Sequence, residues 1–253
     1  MDDLEFDNGD LKNDPEKATA RMDQLKATMT DTSFDCRGDE MMSIHLEMWN
    51  AIKQKDLDTG EKLIQNRYRR AMFGYCDGVL SHVQSSSGRD VPVPDDYLEA
   101  RRLSSGCEPL FALVEYAYGL KIPDSQFYEL DLTRLKEISV EIALLHNDMI
   151  SWHKEKSEGV PHNYVVSLTH YENISQSDAL EIIRKTAIRQ QDLLSETAQR
   201  LFHPKNEDSL ALDRKRYIEG VLRVPMANLW WRPRDPQYQN IMVTRLFPDS
   251  YPS

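Results

Sequence analysis

The 253-residue sequence lacks the features that define several protein classes. Its three cysteines, Cys36, Cys76 and Cys107, are widely spaced and form no CxxC pair, which argues against a disulfide framework or structural zinc site and suits a reducing cytosol. Ten glycines and twelve prolines are too few for a collagenous or low-complexity chain. No run of about 18 uncharged apolar residues is present, so we expect no membrane span, and the acidic N-terminus is unlike a signal peptide. We therefore expect a cytoplasmic location.

Basic charge is also scarce. Lysine and arginine number 31 against 42 aspartates and glutamates, a net charge of −11, so we expect no nucleic-acid partner. An acidic chain that handles phosphate needs local basic groups or bound cations. The sequence contains no GxGxxG, GxxxxGK[ST], GxSxG or HExxH motif, which removes several common nucleotide-binding and hydrolase chemistries.

Strand patterns are rare, and helical patterns dominate what is present. Apolar residues recur at three- and four-residue steps in six long segments: residues 41–55, 57–83, 107–120, 132–155, 177–202 and 209–231. The first segment carries a stripe that includes Ile44 and Ile52. We predict an all-α fold in a single domain over residues 1–253, with an irregular tail from about residue 233.

The sharpest local pattern lies near the end of the fourth helical segment. Asn147, Ser151 and Glu155 are four residues apart, so a helix places all three on one face. Their amide, hydroxyl and carboxylate oxygens are suitable ligands for a hard divalent cation such as Mg²⁺. Lys154 is placed to reach a phosphate beside them. Taken alone, the pattern also fits a solvated polar stripe.

A dense acidic cluster begins at residue 2. Asp3 and Asp7 are four residues apart, and Asp2 adds a third carboxylate, so a helix would bring these groups together. Close carboxylates repel one another unless a cation lies between them. The cluster therefore fits either a metal site or an exposed chain end.

Two further segments contain arginines suited to an anion. Arg101 and Arg102 precede Gly106, which interrupts a helical pattern and fits a phosphate-facing helix break as well as an ordinary loop. The proline-rich segment 231–238 carries two arginines and Tyr238, and it fits either a loop that closes over an anion or a surface loop.

In their order along the chain, these patterns resemble microbial class I terpene synthases of the fungal type, the cyclases of isoprenyl diphosphates. The acidic cluster is similar to the family's aspartate-rich D-D-x-x-x-D/E motif, and residues 147–155 fill every consensus position of N-D-x-x-S-x-x-K-E. The resemblance extends from residue 2 to about residue 240. It implies the class I terpenoid synthase helical bundle around a central apolar pocket.

The resemblance also implies the roles of single residues. The implied catalytic residues are Asp2, Asp3, Arg102 and Gly106, with Arg102 as diphosphate sensor, Ser105 as linker and Gly106 as effector carbonyl. The implied metal ligands are Asp2, Asp3, Asn147, Ser151 and Glu155, which would hold three Mg²⁺ ions. The implied diphosphate-binding residues are Arg102, Asn147, Lys154 and Tyr238.

Two departures from the family pattern stand out. Gln237 occupies the position of the family's usual arginine, and Arg232 or Arg234 is a candidate replacement. The family has several helices before the aspartate-rich motif, whereas only Met1 precedes Asp2 here. We therefore expect the first helices of the bundle to be missing from this chain.

The function implied is that of a carbon–oxygen lyase acting on an isoprenyl diphosphate. Magnesium-assisted loss of diphosphate, with farnesyl diphosphate as the expected substrate, would leave an allylic cation that cyclises to a sesquiterpene. Phe111 is the favoured aromatic for steadying that cation. Three alternatives stay open: a monoterpene synthase using geranyl diphosphate, a truncated and impaired relative that acts as a binding protein, and an unrelated helical scaffold. The expected state is a monomer or a homodimer.

Overall fold

The computed structural model describes residues 11, 14–59, 62–86, 90–202 and 209–231. Within these residues the regular structure is helical and contains no strand, which confirms the predicted all-α fold. The described helices are α1 (Pro15–Thr30), α2 (Glu40–Thr59), α3 (Leu63–Ser86), α4 (Pro94–Ser104), α5 (Cys107–Tyr118), α6 (Asp124–Phe127), α7 (Leu130–Glu158), α8 (Tyr164–Tyr171), α9 (Gln176–Leu201) and α10 (Ser209–Trp231). In the described part of the chain, no helix is both long and apolar enough to cross a membrane.

All six predicted helical segments are present, and four helices were not predicted. The missed helices are α1, α4, α6 and α8. Helices α1 and α4 are rich in charged residues, and α6 and α8 are only four and eight residues long. An apolar stripe is hard to recognise in such segments because few turns repeat it.

The described helices fall into two compact units. The first comprises the described residues of Met1–Asp90 and Glu99–Gly119, and the second those of Val91–Leu98 and Leu120–Ser253. In the first unit, α3 packs against α1, α2 and α5 around a core that includes Met22, Ile52 and Tyr68. In the second unit, α7 packs against α8, α9 and α10. The single domain expected from sequence stays a prediction.

The apolar stripe of α2 is displaced from its predicted position. Ile52 is fully buried as expected, but Ile44 is 56% exposed, so its assignment to the buried stripe was wrong. Met42 and His45 are buried in its place. A histidine can occupy this core because both ring nitrogens of His45 find hydrogen-bond partners, at Thr28 and Tyr68.

Candidate metal-binding site

Helix α7 positions the candidate metal ligands through a long buried stripe. Leu135, Ile138, Ile142 and Leu145 are all fully buried at helical spacing, as the sequence predicted. This stripe fixes the rotation of the helix, and α7 continues without a break to Glu158. The predicted face of Asn147, Ser151 and Glu155 therefore exists as consecutive turns of one helix.

Ser151 provides the observation that tests whether a cation fits this face. Its side chain is buried, and its Oγ atom has no hydrogen-bond partner among the described residues. A buried hydroxyl without a partner is unfavourable by roughly 1–3 kcal/mol, so such a group calls for an explanation. A Mg²⁺ ion held by the Ser151 hydroxyl with the oxygens of Asn147 and Glu155 provides one, because this donor set suits a hard cation.

Other candidate metal sites are not evident in the part of the chain that the structure describes. No group of three or more His, Cys, Asp or Glu side chains is placed there to hold a metal ion. His146 lies next to Asn147, and burial lowers its pKa to about 4. His146 is therefore uncharged at neutral pH and places no positive charge beside the candidate ligands.

Asp148, the second residue of the N-D-x-x-S-x-x-K-E run, serves the structure rather than this face. Its side chain is buried, and its Oδ2 atom accepts hydrogen bonds from the Tyr97 hydroxyl at 2.7 Å and from the backbone N–H of Tyr164 at 2.9 Å. The rings of Tyr97 and Tyr164 stack with centroids 5.8 Å apart. These contacts join α4 and the start of α8 to α7.

Asn163 links the start of α8 to the end of α7. It is fully buried, and its Nδ2 atom donates to the Asp148 carbonyl at 3.0 Å and to Oε2 of Glu155 at 2.8 Å. Its Oδ1 atom accepts from the backbone N–H of Val165 at 2.8 Å, which caps α8. Sequence reasoning missed Asn163 and Tyr97. An asparagine before an apolar segment indicates a helix cap, but the contact with Glu155 has no sequence signature.

The first unit contains the predicted helix break. Arg102 lies in the last turn of α4, and Gly106 stands at the N-cap of α5 with a φ of 71°, which favours glycine. Ser105 spans the break, because its Oγ donates to the Arg102 carbonyl at 3.0 Å and accepts from the backbone N–H of Cys107 at 3.3 Å. The break at Gly106 is therefore present as predicted.

The remaining predicted site residues are distributed as follows. Lys154 is exposed on α7, one residue before Glu155. Phe111 is 1% exposed, so it lies in a packed interior. Asp2, Asp3 and Tyr238 fall outside the residues that the structure describes, as do Asp7, Gln237, Arg232 and Arg234. Their predicted roles stay predictions.

Comparison with known proteins identifies the protein family to which this chain belongs. A family profile described as "Terpene synthase family 2, C-terminal metal binding" matches residues 1–190. Silphinene synthase of Penicillium patulum is 28% identical over 268 residues, covering 96% of this chain and 66% of that protein. A sesquiterpene synthase of Cyclocybe aegerita is 25% identical over 177 residues, covering 69% of this chain and 48% of that protein. Germacradien-4-ol synthase from Streptomyces citricolor has the same fold, with a TM-score of 0.75 at 18% identity over 88% of this chain and 71% of that chain.

The profile covers most of the chain, which therefore belongs to terpene synthase family 2, a family described as metal-binding. Together with the fungal relatives, it identifies the chain as a fungal-type class I terpene synthase. The chain spans about half to two thirds of the length of these two relatives.

Proposed function

We propose that this protein is a Mg²⁺-dependent terpene cyclase that releases diphosphate from an isoprenyl diphosphate and cyclises the resulting allylic cation. The observation that carries the proposal is the face of α7 formed by Asn147, Ser151 and Glu155, where the buried Ser151 hydroxyl has no partner among the described residues. Membership of a metal-binding terpene synthase family supports the same reading.

Three of the proposed cation ligands come from this face of α7. We assign Asn147, Ser151 and Glu155 to Mg²⁺ binding, with Asp2 and Asp3 as further ligands and three ions in total, as the sequence resemblance implies. When bound, Mg²⁺ supplies positive charge that stabilises the departing diphosphate.

The chain's own hydrogen-bond donors complete the proposed diphosphate site. As the sequence resemblance implies, we assign Arg102 and Lys154 to supply positive charge for the phosphate oxygens and the Tyr238 hydroxyl to supply a hydrogen-bond donor. Ser105 holds the carbonyl of Arg102 and the backbone N–H of Cys107, so it fixes the backbone on both sides of Gly106. The Gly106 carbonyl is the proposed effector.

We propose farnesyl diphosphate as the substrate of this protein. One relative is named a sesquiterpene synthase, which supports a fifteen-carbon substrate here. Geranyl diphosphate is the ten-carbon competitor, and a mass spectrum of the hydrocarbons made in a host that supplies both diphosphates distinguishes the two. A cytoplasmic location and a monomeric or homodimeric state stay predictions.

The proposal is tested by measuring diphosphate release from geranyl and farnesyl diphosphate as a function of Mg²⁺ concentration. We expect release by the wild-type chain, and its loss in Asn147→Ala and in Glu155→Ala with the fold retained by circular dichroism. Glu137→Ala is the matched control, because Glu137 is an acidic residue of the same helix that pairs with Arg134 and lies ten residues before Asn147. Release should persist in this control.

Two results would contradict the proposal. The first is absence of release by the folded wild-type chain together with absence of Mg²⁺ and inorganic pyrophosphate binding. The second is undiminished release in Glu155→Ala, since that variant lacks the only carboxylate among the three candidate ligands of α7.

A further inference from the structure

We propose that Asn163 is a positioning residue that holds the carboxylate of Glu155 ready for the cation. This inference rests on the proposed function, because it assigns a role relative to the metal ligand Glu155. Asn163 lies outside the N-D-x-x-S-x-x-K-E run, eight residues beyond its last position. Its described hydrogen bonds to α7 go to Oε2 of Glu155 and to the backbone carbonyl of Asp148.

The hydrogen bonds of Asn163 fix the orientation of its side-chain amide. The Nδ2 atom faces two acceptors, the Asp148 carbonyl and Oε2 of Glu155, while the Oδ1 atom faces a donor, the N–H of Val165. A flipped amide would place its oxygen against two acceptors and its NH₂ group against a donor. Asn163 is also fully buried, so bulk water does not reach its own amide group.

This arrangement acts on Glu155 at the end of a helix. Glu155 lies in the last turn of α7, which ends at Gly159 with a left-handed backbone (φ 68°). Its backbone carbonyl accepts from the N–H of Val160 at 3.0 Å, and its side chain is held through Oε2 by Asn163. Both the backbone and the carboxylate are therefore fixed where a helix end would otherwise fray.

The expected benefit is pre-organisation of a metal ligand. A free glutamate side chain loses rotational freedom when it binds an ion, and a ligand already held in place loses less. Asn163 occupies one carboxylate oxygen and leaves Oε1 for the cation. Partners of this kind around metal ligands typically change metal affinity by about 10–100-fold when they are removed.

A purely structural role for Asn163 is the competing explanation, since it also caps α8. The two roles are separated by replacing Asn163 with residues that keep the cap but lose the amide donor. Serine and threonine are good N-cap residues with short side chains, so Asn163→Ser and Asn163→Thr keep the bond to Val165 and lose those to Glu155 and the Asp148 carbonyl. Asn163→Ala removes all three bonds.

The control is a cap on another helix. Ser175 caps α9, and its Oγ accepts from the backbone N–H of Asp178 at 3.1 Å. No described hydrogen bond of Ser175 reaches α7, so Ser175→Ala should lower stability without changing the affinity for metal.

The experiment measures Mn²⁺ binding by electron paramagnetic resonance in the presence of inorganic pyrophosphate, together with the melting temperature in EDTA. We expect the Mn²⁺ concentration for half-saturation to rise about 10–100-fold in Asn163→Ser, Asn163→Thr and Asn163→Ala. In EDTA, Asn163→Ala should melt lower than the two cap-preserving variants. Ser175→Ala should melt lower than wild type and bind Mn²⁺ like wild type.

The outcomes distinguish failure of this inference from failure of the proposed function. If wild type binds Mn²⁺ and either folded cap-preserving variant binds it equally well, the positioning role is wrong and the proposed function stands. If wild type binds no Mn²⁺ with pyrophosphate, the metal site itself is wrong, and the role of Asn163 is wrong with it. Both Asn163→Ser and Asn163→Thr are made so that the test can be carried out even when only one of them folds.

Discussion

The hydroxyl of Tyr97 lies 2.7 Å from Oδ2 of Asp148, and both side chains are buried. Asp148 directly follows Asn147, so on a helix its side chain points about 100° away from that of Asn147. The aspartate of the N-D-x-x-S-x-x-K-E run is held by α4 and by the start of α8. Adjacent residues of one motif therefore differ in role: Asp148 holds the helix, and Asn147 is the residue that we propose for binding the cation.

Removal of the Tyr97 hydroxyl should destabilise the protein. Tyr97→Phe leaves a buried carboxylate oxygen with one hydrogen bond fewer, and we expect a loss of about 1–3 kcal/mol in the free energy of unfolding, measured in urea. Tyr164→Phe is the control, because no hydrogen bond of the Tyr164 hydroxyl is found among the described residues although its ring stacks on Tyr97. Equal losses in the two variants would contradict this assignment.

Two buried serines of α7 should respond in opposite ways to replacement by alanine. Ser139 donates to the Val221 carbonyl at 3.1 Å, so Ser139→Ala should lower the free energy of unfolding by about 1 kcal/mol. The Ser151 hydroxyl has no partner among the described residues, so Ser151→Ala should leave the metal-free protein unchanged or raise its stability by about 1 kcal/mol. The same variant should weaken Mg²⁺-dependent diphosphate release.

Urea unfolding in EDTA checks the stabilities of these serine variants, and the release assay checks the activity. Destabilisation of the metal-free protein by Ser151→Ala would show that its hydroxyl has a structural role. The explanation of Ser151 as a metal ligand would then lose its support.

Two glycines of α3 should also differ in their tolerance of alanine. A Cβ atom at Gly78 would lie 2.7 Å from the carbonyl carbon and Cβ of Leu103 and 2.8 Å from the backbone nitrogen of Ser104. Because these are mostly backbone atoms at the end of α4, we expect Gly78→Ala to cost about 1–3 kcal/mol. It should also reduce diphosphate release, since Arg102 lies in the same turn.

Gly74, one turn earlier in α3, is the matched control. A Cβ atom there meets nothing within 4 Å, so Gly74→Ala should stabilise the helix by up to about 1 kcal/mol. Thermal unfolding of the two variants shows whether each substitution raises or lowers stability. If Gly74→Ala destabilises the protein as much as Gly78→Ala, the close contact of Gly78 with Leu103 and Ser104 does not explain the loss.

A buried ion pair joins α3 to α5 in the first unit. Arg67 and Glu115 contact each other with side chains 3% and 1% exposed. Replacing one partner leaves a buried charge, so we expect Glu115→Gln to cost about 3–5 kcal/mol. The double variant Arg67→Met/Glu115→Leu should cost clearly less than the sum of its single variants in a urea double-mutant cycle. Additive losses would show that the two groups do not depend on each other.

The neutral state of His45 should make stability sensitive to acid. Thr28 donates its hydroxyl proton to the Leu25 carbonyl at 2.6 Å, so its oxygen accepts from Nδ1 of His45 at 2.7 Å. The Nε2 atom then accepts from the Tyr68 hydroxyl at 3.1 Å. Both ring nitrogens are satisfied in the neutral form, and burial lowers the pKa of His45 to about 4.

The sign of the acid effect follows from the order of the two pKa values. The unfolded chain binds a proton at His45 below about pH 6.5, whereas the folded chain binds it only near pH 4, so stability falls as the pH drops through this window. Between pH 7 and pH 5 the loss is about 2 kcal/mol for this histidine. Urea unfolding at the two pH values should show a smaller loss in His45→Gln, and an equal loss in the variant would contradict the assignment.

Prediction from sequence succeeded where a pattern repeats over many turns. The buried stripe of α7 over Leu135, Ile138 and Ile142 is found where the periodicity placed it, because several turns carry the same signal. Short or polar helices such as α4 and α8 were missed, since their burial depends on neighbours distant in sequence. Ile44 is exposed for the same reason: its neighbours, rather than its hydrophobicity, decide which face of α2 is buried.

The sequence by itself determined the helical class, the family, and the spacing that sets Asn147, Ser151 and Glu155 on one helix face, because helix geometry converts local spacing into direction. Only the tertiary structure decided that Asp148 bonds to α4 and α8, that the Ser151 hydroxyl is buried with no partner in the described part of the chain, and that Asn163 holds Glu155. These relationships depend on hydrogen bonds between residues brought together by packing. Such contacts have specific distances and directions, and a one-dimensional pattern does not encode them.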